Sequence, residues 1–298
     1  MRETLDPRRA PRAAAEEEEG ATPAGRPRRA RLRRGERMVV IAHHLLSHPY
    51  QLFPLATFME LLGAAKSTIS EDLGFLRQTF DRFRLGRVET LAGAAGGVRY
   101  LPQMHREQIR SLVEDLCRRL RDPARVLPGG FLHVTDLISS PQFATPIGQA
   151  FATLLGSVRP DVVLTMEVKG IPLALETARA FNVPLVTIRR GGRVTEGPAV
   201  TVNYVSGSSR LVGQMTLPLR AIPPGARAVF IDDFLRGGGT ARGVVDLMKE
   251  FRAELVGIGV LVETALPREK MAQRYLSLIV YEGASEHGEV LVYPSRYV

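Results

Sequence analysis

From residue 38 onward, apolar positions recur with the period of an α-helix. Met38, Ile41, Ala42, Leu45 and Leu46 share one helical face, and the Ser-His-Pro at 47–49 ends the pattern. Pro54 suits the first turn of a second, shorter helix whose buried side is Leu55, Phe58, Met59 and Leu62, with Gly63 at its end. A third stripe, Ile69, Leu73, Leu76, Phe80 and Phe83, follows AKSTISED, where Thr68 and Glu71 have capping-box spacing. Then GRVETL and VRYLP flank AGAAGG, and glycines 93, 96 and 97 supply the positive φ of a tight hairpin turn. Three compact helices and a β-hairpin describe a winged helix-turn-helix unit.

The pattern changes after residue 102. Residues 103–121, QMHREQIRSLVEDLCRRLR, make an amphipathic connecting helix that LPGG terminates. Strand-like and helix-like stretches then alternate: FLHVTDLI, PQFATPIGQAFATLLG, DVVLTM, GIPLALETARAFN, VPLVTIRR, VTVNYV, QMTLPL, RAVFID, the helix of the 240s, VGIGVLVE and a final short pair. That alternation predicts an α/β domain with a largely parallel sheet. The expected divisions are an arm over 1–36, the winged helix over 37–102, the connecting helix and linker over 103–128, and the α/β domain over 129–298.

Charge adds a partner to this picture. The chain of 298 residues carries a net +9, which favours a polyanion. Residues 1–37 hold eleven arginines against seven acids, among much Ala and Pro, and are too poor in apolar residues to fold alone. They read as a disordered basic arm. No apolar run reaches the length of a bilayer span and none near the start resembles a secretory signal, so a cytoplasmic protein without a membrane partner is expected. The single cysteine, Cys117, lies in an apolar helical stretch and reads as a core residue. His43, His44 and His48 lack neighbouring Cys or acid ligands, so they point to a helix end or interface rather than a metal.

In a winged helix the third helix enters the major groove. The expected DNA-binding residues are therefore Lys66, Ser67, Thr68, Ser70 and Arg77 from that helix, with Arg99 on the wing near the backbone. Small hydroxyls beside a lysine position phosphates and allow close approach to bases. A two-fold pair of such units would read related half-sites, so a homodimer is expected.

The strongest chemical signal is VFIDDFLRGGGT at 229–240. An apolar strand leads into two acids and then into glycines that open onto a helix. The carboxyl end of a strand in an open α/β sheet is where ligands bind, and the next helix offers unpaired N–H groups to an anion. A phosphate fits the glycines, whereas Asp232 and Asp233 would repel it and need ribose hydroxyls or a divalent metal. TMEVKGIP at 165–172 is a second anion site with one cation, Lys169, beside Gly170. The glycine-rich segment 189–209 is suited to a mobile two-stranded cover. One sugar with two separate phosphate groups would use all three.

VFIDDFLRGGGT resembles the phosphoribosyl pyrophosphate (PRPP) motif of type I phosphoribosyltransferases, and TMEVKGIP resembles their pyrophosphate loop. SHPYQLFPLATFMELLGAAKSTISEDLGFLRQTF, LPGGFLHVTDLI, VTEGPAVTVNYVSGSSR and GIGVLVE resemble the pur operon repressors of Gram-positive bacteria, a likeness running from about residue 36 to the end. The resemblance implies a type I phosphoribosyltransferase fold kept as a sensor of PRPP, which would lower affinity for operator DNA upstream of purine genes. It implies Asp232 and Asp233 on the ribose hydroxyls, Gly237, Gly238, Gly239 and Thr240 on the 5′-phosphate, Lys169 and Gly170 on the pyrophosphate, and Tyr204 covering the site. Arg236 and Gly237 stand where many relatives carry Lys and Ala. No cofactor is required on this reading, though Mg2+ can accompany PRPP, and guanine nucleotides such as ppGpp can compete. Two rivals remain: a working xanthine-type purine phosphoribosyltransferase, and a dimerisation scaffold with a dead site. Against turnover, VSGSS after Tyr204 is neutral where such enzymes tend to carry a basic residue, although Arg189, Arg190, Arg193 and Arg210 are close in sequence.

Overall fold

A computed structural model describes residues 32–93, 95–192, 197–205, 211–285 and 289–298. The arm up to residue 31, the tip of the wing at Ala94, and the VSGSS loop beyond Val205 lie outside the described residues, and so do Arg193 and Arg210.

The first unit contains α1 (Arg34–Ser47), α2 (Leu55–Leu62) and α3 (Lys66–Phe83), followed by the antiparallel pair β1 (Arg87–Leu91) and β2 (Gly97–Leu101). Ile41, Leu45, Phe58, Leu62, Ile69, Leu73, Leu76 and Phe80 close its core against Val88, Val98 and Tyr100 of the hairpin. The apolar stripes therefore predicted the helices, with local departures. Leu46 and Phe83 are 46% and 62% exposed, each at the last turn of its helix and beyond the reach of the core. The capping box does not form. Ala65 is the cap, without a side-chain hydrogen bond, and Thr68 already lies inside the first turn.

α1 begins at Arg34, inside the segment expected to be disordered, because its first residues have a partner across the domain. Arg37 Nε donates to Asp72 Oδ2 at 2.7 Å and Nη2 to Oδ1 at 3.2 Å, while Arg34 Nε lies 3.3 Å from the same carboxylate. Asp72 sits on the inner face of α3 and is 1% exposed. Of the hairpin glycines only Gly93 has positive φ, +111°. Gly96 and Gly97 are glycine because backbone passes close by: a β-carbon there would strike the Leu91 and Phe53 carbonyl oxygens. Phe53 and Val98 exchange 2.9 Å backbone hydrogen bonds, so the chain before α2 acts as a third strand of the wing.

The rest is an α/β unit. β5 (Val162–Met166), β6 (Leu185–Ile188), β9 (Arg227–Leu235), β10 (Glu254–Thr264), β11 (Leu276–Ala284) and β12 (Val290–Pro294) form one sheet in the order β12-β11-β10-β9-β5-β6, parallel except for β12. Helices α4 (Arg106–Leu120), α6 (Pro141–Leu154) and α7 (Ile171–Phe181) cover one face. Helix α8 (Gly239–Glu250) and the hairpin of β7 (Ala199–Val205) and β8 (Val212–Pro218) cover the other. Successive side chains of β9 divide between the two cores: Val229 and Ile231 enter one, Ala228 and Phe230 the other. FLHVTDLI is strand only at β4 (Phe131–Leu132), which pairs with β3 (Val126–Leu127); Thr135–Ile138 form the helical turn α5. α4 is not a free linker, since Ile109, Val113, Leu116, Cys117 and Leu120 belong to the large core. Burial pushes the Cys117 thiol up to about 11, in keeping with an inert packing residue.

The ion pair at Asp72 fixes α3 to α1, so Asp72→Ala should destabilise the N-terminal unit by about 3 kcal/mol, the low end for a broken buried pair because Arg34 can turn to water. Thermal unfolding followed by circular dichroism checks this; a shift under about 1 kcal/mol would place the support for α3 elsewhere.

Candidate ligand pocket and nucleic-acid interface

The carboxyl end of β9 builds the pocket. Asp232, Asp233, Phe234, Leu235 and Arg236 leave the sheet, Gly237 makes the bend, and Gly238 caps α8 in the left-handed conformation with φ +78°. Only glycine fits at 238: besides the strained φ, a β-carbon would lie 2.9 Å from the Ala272 nitrogen. Among the described residues, the amides of Gly237, Gly238, Gly239 and Thr240 donate to no protein group. Four adjacent donors at a helix start form an anion site.

The cavity over these residues is about 390 Å3, and its floor also includes Lys169, Arg190 and Phe230, with Leu127, Pro128, Phe131 and Leu132 as an apolar wall. A second lobe shares Lys169, Arg190, Asp232, Asp233, Phe234 and Thr240 and extends to Met166, Glu167 and Val168. Lys169, Asp232, Asp233, Gly237, Gly238, Gly239 and Thr240 thus meet in one cleft, as the sequence predicts. A larger cleft of about 770 Å3 separates the two units, between Pro49 and Tyr100 on one side and Glu176 and Arg179 on the other. It has no acid pair and no glycine loop.

Two residues depart from expectation. Gly170 lies behind the site, where a β-carbon would be 2.9 Å from Asp232 Oδ1 and would strike Thr165 Oγ1. Its role is to let the loop after β5 close against Asp232. Tyr204 is 9% exposed and packed in the core between Gly213 of β8 and Gly243 of α8, away from the cavity lining. The alternation of β7 turns it inward, so it does not cover the pocket. Sequence reasoning missed Arg236 and Phe131 as a pair: the Arg236 guanidinium lies 5.3 Å from the Phe131 ring centroid, closing the apolar wall. The LPGG turn before Phe131 was the available signal for a hairpin reaching the site. Arg190, noted only as a spare cation, is a lining residue; its amide donates to Glu167 Oε1 at 2.8 Å, tying the end of β6 to the loop after β5.

The two carboxylates titrate as a pair. Burial, then the neighbouring Asp233 charge, raises Asp232 well above the usual carboxylate range; burial also raises Asp233, opposed by a hydrogen bond with Asp232 and by Lys169. The Asp233 amide donates to Asp232 Oδ1 at 2.9 Å. Raised values mean that the folded state holds protons more tightly than the unfolded chain. The pair therefore imposes no penalty at low pH and a growing one as pH rises through the folded values.

On the nucleic-acid side, Lys66, Ser67, Ser70 and Arg77 are exposed along one face of α3, flanking the buried stripe of Ile69, Leu73 and Leu76; Thr68 is half-buried beside them. Arg99 is not part of that face. It pairs across the hairpin with Glu89, Nε and Nη2 donating to Oε2 at 2.9 and 2.8 Å, and lines the junction near Tyr50 and Arg159. The cross-strand register of Glu89 and Arg99 dictates this. No group of three or more His, Cys, Asp and Glu that could hold a metal occurs among the described residues. His44 instead stacks edge-on with Phe53 and Phe58, centroids 4.4 and 5.5 Å apart.

Replacing both acids, Asp232→Asn with Asp233→Asn, should raise the melting temperature of the ligand-free protein at pH 7 by a few degrees, about 2–4 °C per kcal/mol relieved, with the gain vanishing as pH falls toward about 4. Calorimetric melts across that range test it; equal melts at every pH would mean that the pair carries no strain.

A family model described as "Bacterial purine repressor, N-terminal" matches residues 33–102, and one described as "Phosphoribosyl transferase domain" matches residues 133–286. The purine biosynthesis transcriptional repressor PurR of Bacillus subtilis (strain 168) is 42% identical over 249 residues, covering 84% of this chain and 87% of that protein. A purine biosynthesis transcriptional activator PurR of Lactococcus lactis subsp. lactis (strain IL1403) is 37% identical, covering 83% and 92%. A xanthine phosphoribosyltransferase of Deinococcus deserti is 37% identical over 161 residues, 53% of this chain and 81% of that enzyme. The enzyme matches only part of the chain, whereas the regulators match across both units, and the chain belongs to the bacterial PurR family of purine biosynthesis transcriptional regulators.

Proposed function

We propose that the protein is a DNA-binding repressor of purine biosynthesis genes that senses PRPP in the cleft at the end of β9, and that PRPP lowers its affinity for operator DNA. The observation that carries this reading is the complete sugar-phosphate cleft, acids, free amides and cations together, in a chain that also carries a winged helix. The hydroxyls of the ribose would donate to Asp232 and Asp233, the amides of Gly237 to Thr240 would hold the 5′-phosphate, and Lys169 with Arg190 would face the pyrophosphate. Two carboxylates alone make a poor cage for Mg2+, but that ion commonly takes one or two carboxylates plus phosphates and waters, so the residues fit Mg2+ arriving with PRPP. Guanine nucleotides with paired phosphates would compete for the same donors. The relatives' names carry both signs of regulation, repressor and activator; the repressor reading follows the more similar of the two.

The cleft is read as a binding site without turnover, because the regulators match both units and a salvage enzyme has no use for a DNA-binding unit. The xanthine-type enzyme is the second reading, supported by the D. deserti match. Incubation with PRPP and hypoxanthine, guanine, xanthine or adenine should yield no nucleotide above a no-protein control. Nucleotide formation abolished by Asp233→Asn would establish the enzyme.

Binding of labelled promoter DNA titrated with PRPP tests the main reading. A coupling of about 1–3 kcal/mol predicts that saturating PRPP weakens operator binding roughly 5- to 150-fold. The Asp232→Asn, Asp233→Asn protein should bind operator normally and ignore PRPP; release with the wild-type midpoint would remove the acid pair from the sensor. On the DNA side, Lys66→Ala and Arg77→Ala should each flatten the salt dependence by roughly one unit of slope, and Arg99→Ala should not. The reverse order would transfer the contact to the wing. A homodimer is part of this proposal, and sedimentation showing only monomer alongside tight operator binding would exclude it.

A further inference from the structure

The segment that follows β10 is outside the cavity lining, yet it holds the phosphate loop from below. Lys270 is partly buried and its Nζ donates to three oxygens: the Arg236 carbonyl at 2.7 Å, the Thr264 carbonyl at 2.7 Å and Thr264 Oγ1 at 3.2 Å. All three ammonium protons are thereby used. One residue on, the Met271 amide donates to the Gly237 carbonyl at 2.9 Å. Two consecutive carbonyls of the loop, 236 and 237, are thus pinned by two consecutive residues of another segment.

The peptides between 236 and 238 are trans, and in a trans peptide the C=O and N–H point in opposite directions. Drawing the Arg236 and Gly237 carbonyls down onto Lys270 and Met271 turns the Gly237 and Gly238 amides the other way. Those two residues line the cavity, and their amides meet no protein acceptor among the described residues. The chain direction is set by the same contact, since Gly238 approaches the Ala272 and Met271 nitrogens so closely that a β-carbon would not fit.

We infer that Lys270 is a positioning residue for phosphate recognition: it never touches the ligand, and by holding the Arg236 carbonyl it aims the loop amides at the 5′-phosphate of a sugar phosphate. A neutral donor at 270 could hold one carbonyl, whereas the ammonium also places a positive charge beneath a loop that receives a dianion. Burial lowers its affinity for a proton, opposed by Glu263, and a phosphate bound above would favour the charged form.

This deepens the effector reading and rests on it, and pyrophosphate separates the two because it needs only the Lys169 side of the cleft. Calorimetric titration of the full chain with pyrophosphate, ribose 5-phosphate and PRPP should show Lys270→Met weakening the two sugar phosphates by about tenfold or more, with pyrophosphate within about twofold of wild type. Operator affinity without ligand should be unchanged. Thr264→Val, which removes one oxygen of the Lys270 cage together with the hydroxyl's own contacts to the Leu266 carbonyl at 2.6 Å and the Arg236 carbonyl at 3.3 Å, should lose ribose 5-phosphate selectively by about three- to tenfold, and it decides the matter if Lys270→Met does not fold. Wild-type affinity for ribose 5-phosphate in a folded Lys270→Met protein, or equal loss of all three ligands, would overturn the positioning role. Wild-type protein that binds none of the three would instead refute the sugar-phosphate site itself.

Discussion

Two carboxylates side by side at the end of a buried strand are costly, and most of the architecture around them follows from that cost. Desolvation raises both Asp232 and Asp233, and the Asp233 charge raises Asp232 further, so the ligand-free fold is strained where it is most built. The neighbours yield to them. Gly170 lacks a side chain because Asp232 fills its place, and Gly238 lacks one because the 270s segment does. Next to the acids stand four amides without acceptors among the described residues, so a region of excess negative charge adjoins one of excess donor capacity. A ligand with hydroxyls at one end and phosphate at the other relieves both at once, which a simple anion or a simple cation would not.

Patterning made most of this legible. Period-3.6 stripes located the three N-terminal helices, and the strand, acid and glycine order located the pocket, because both signals are local along the chain. The failures share a different cause. Tyr204 was placed over the site by resemblance, but strand alternation turns it into the core between two glycines, a contact between distant segments. The helix start at Arg34 depended on Asp72, 38 positions away, and on Glu36, which accepts the Arg33 amide at 2.6 Å but follows an arginine rather than a Ser, Thr, Asp or Asn that would have marked the cap. Gly96 and Gly97 read as turn residues, yet they answer to backbone packed beside them. Lys270 was invisible for the same reason: its partners are carbonyls, which leave no trace in side-chain chemistry.

Net charge was a weaker guide than its placement. Arg37 serves Asp72, Arg99 serves Glu89, and Arg125 forms a two-pronged pair with Asp136 at 2.7 Å. These cations hold the fold together and are poor candidates for reading DNA, since a guanidinium already satisfied by a carboxylate gains little from a phosphate. The cations left facing water on α3, Lys66, Arg77 and Arg82, are fewer than a count of +9 implies. The same sorting explains why the winged helix needs its internal ion pair: a short domain with a small core holds its recognition helix by Asp72 as well as by Leu73 and Leu76.

The geometry also bears on how an event in the cleft reaches the DNA-binding unit. Helix α7 begins at the loop that closes on Asp232 and ends at Phe181, whose ring lies 5.7 Å from that of Tyr50 in the N-terminal unit. Tyr50 in turn donates its amide to the Tyr100 carbonyl at 2.8 Å, at the base of the wing. Eleven helical residues span about 16 Å and transmit displacement with little loss, because an α-helix is stiff along its axis. Continuity alone does not make a switch. A ligand shifts DNA binding only if it binds the free and DNA-bound forms unequally. The 770 Å3 cleft beside the end of α7 leaves open space between that helix and the N-terminal unit, so the junction there is not closed by packing.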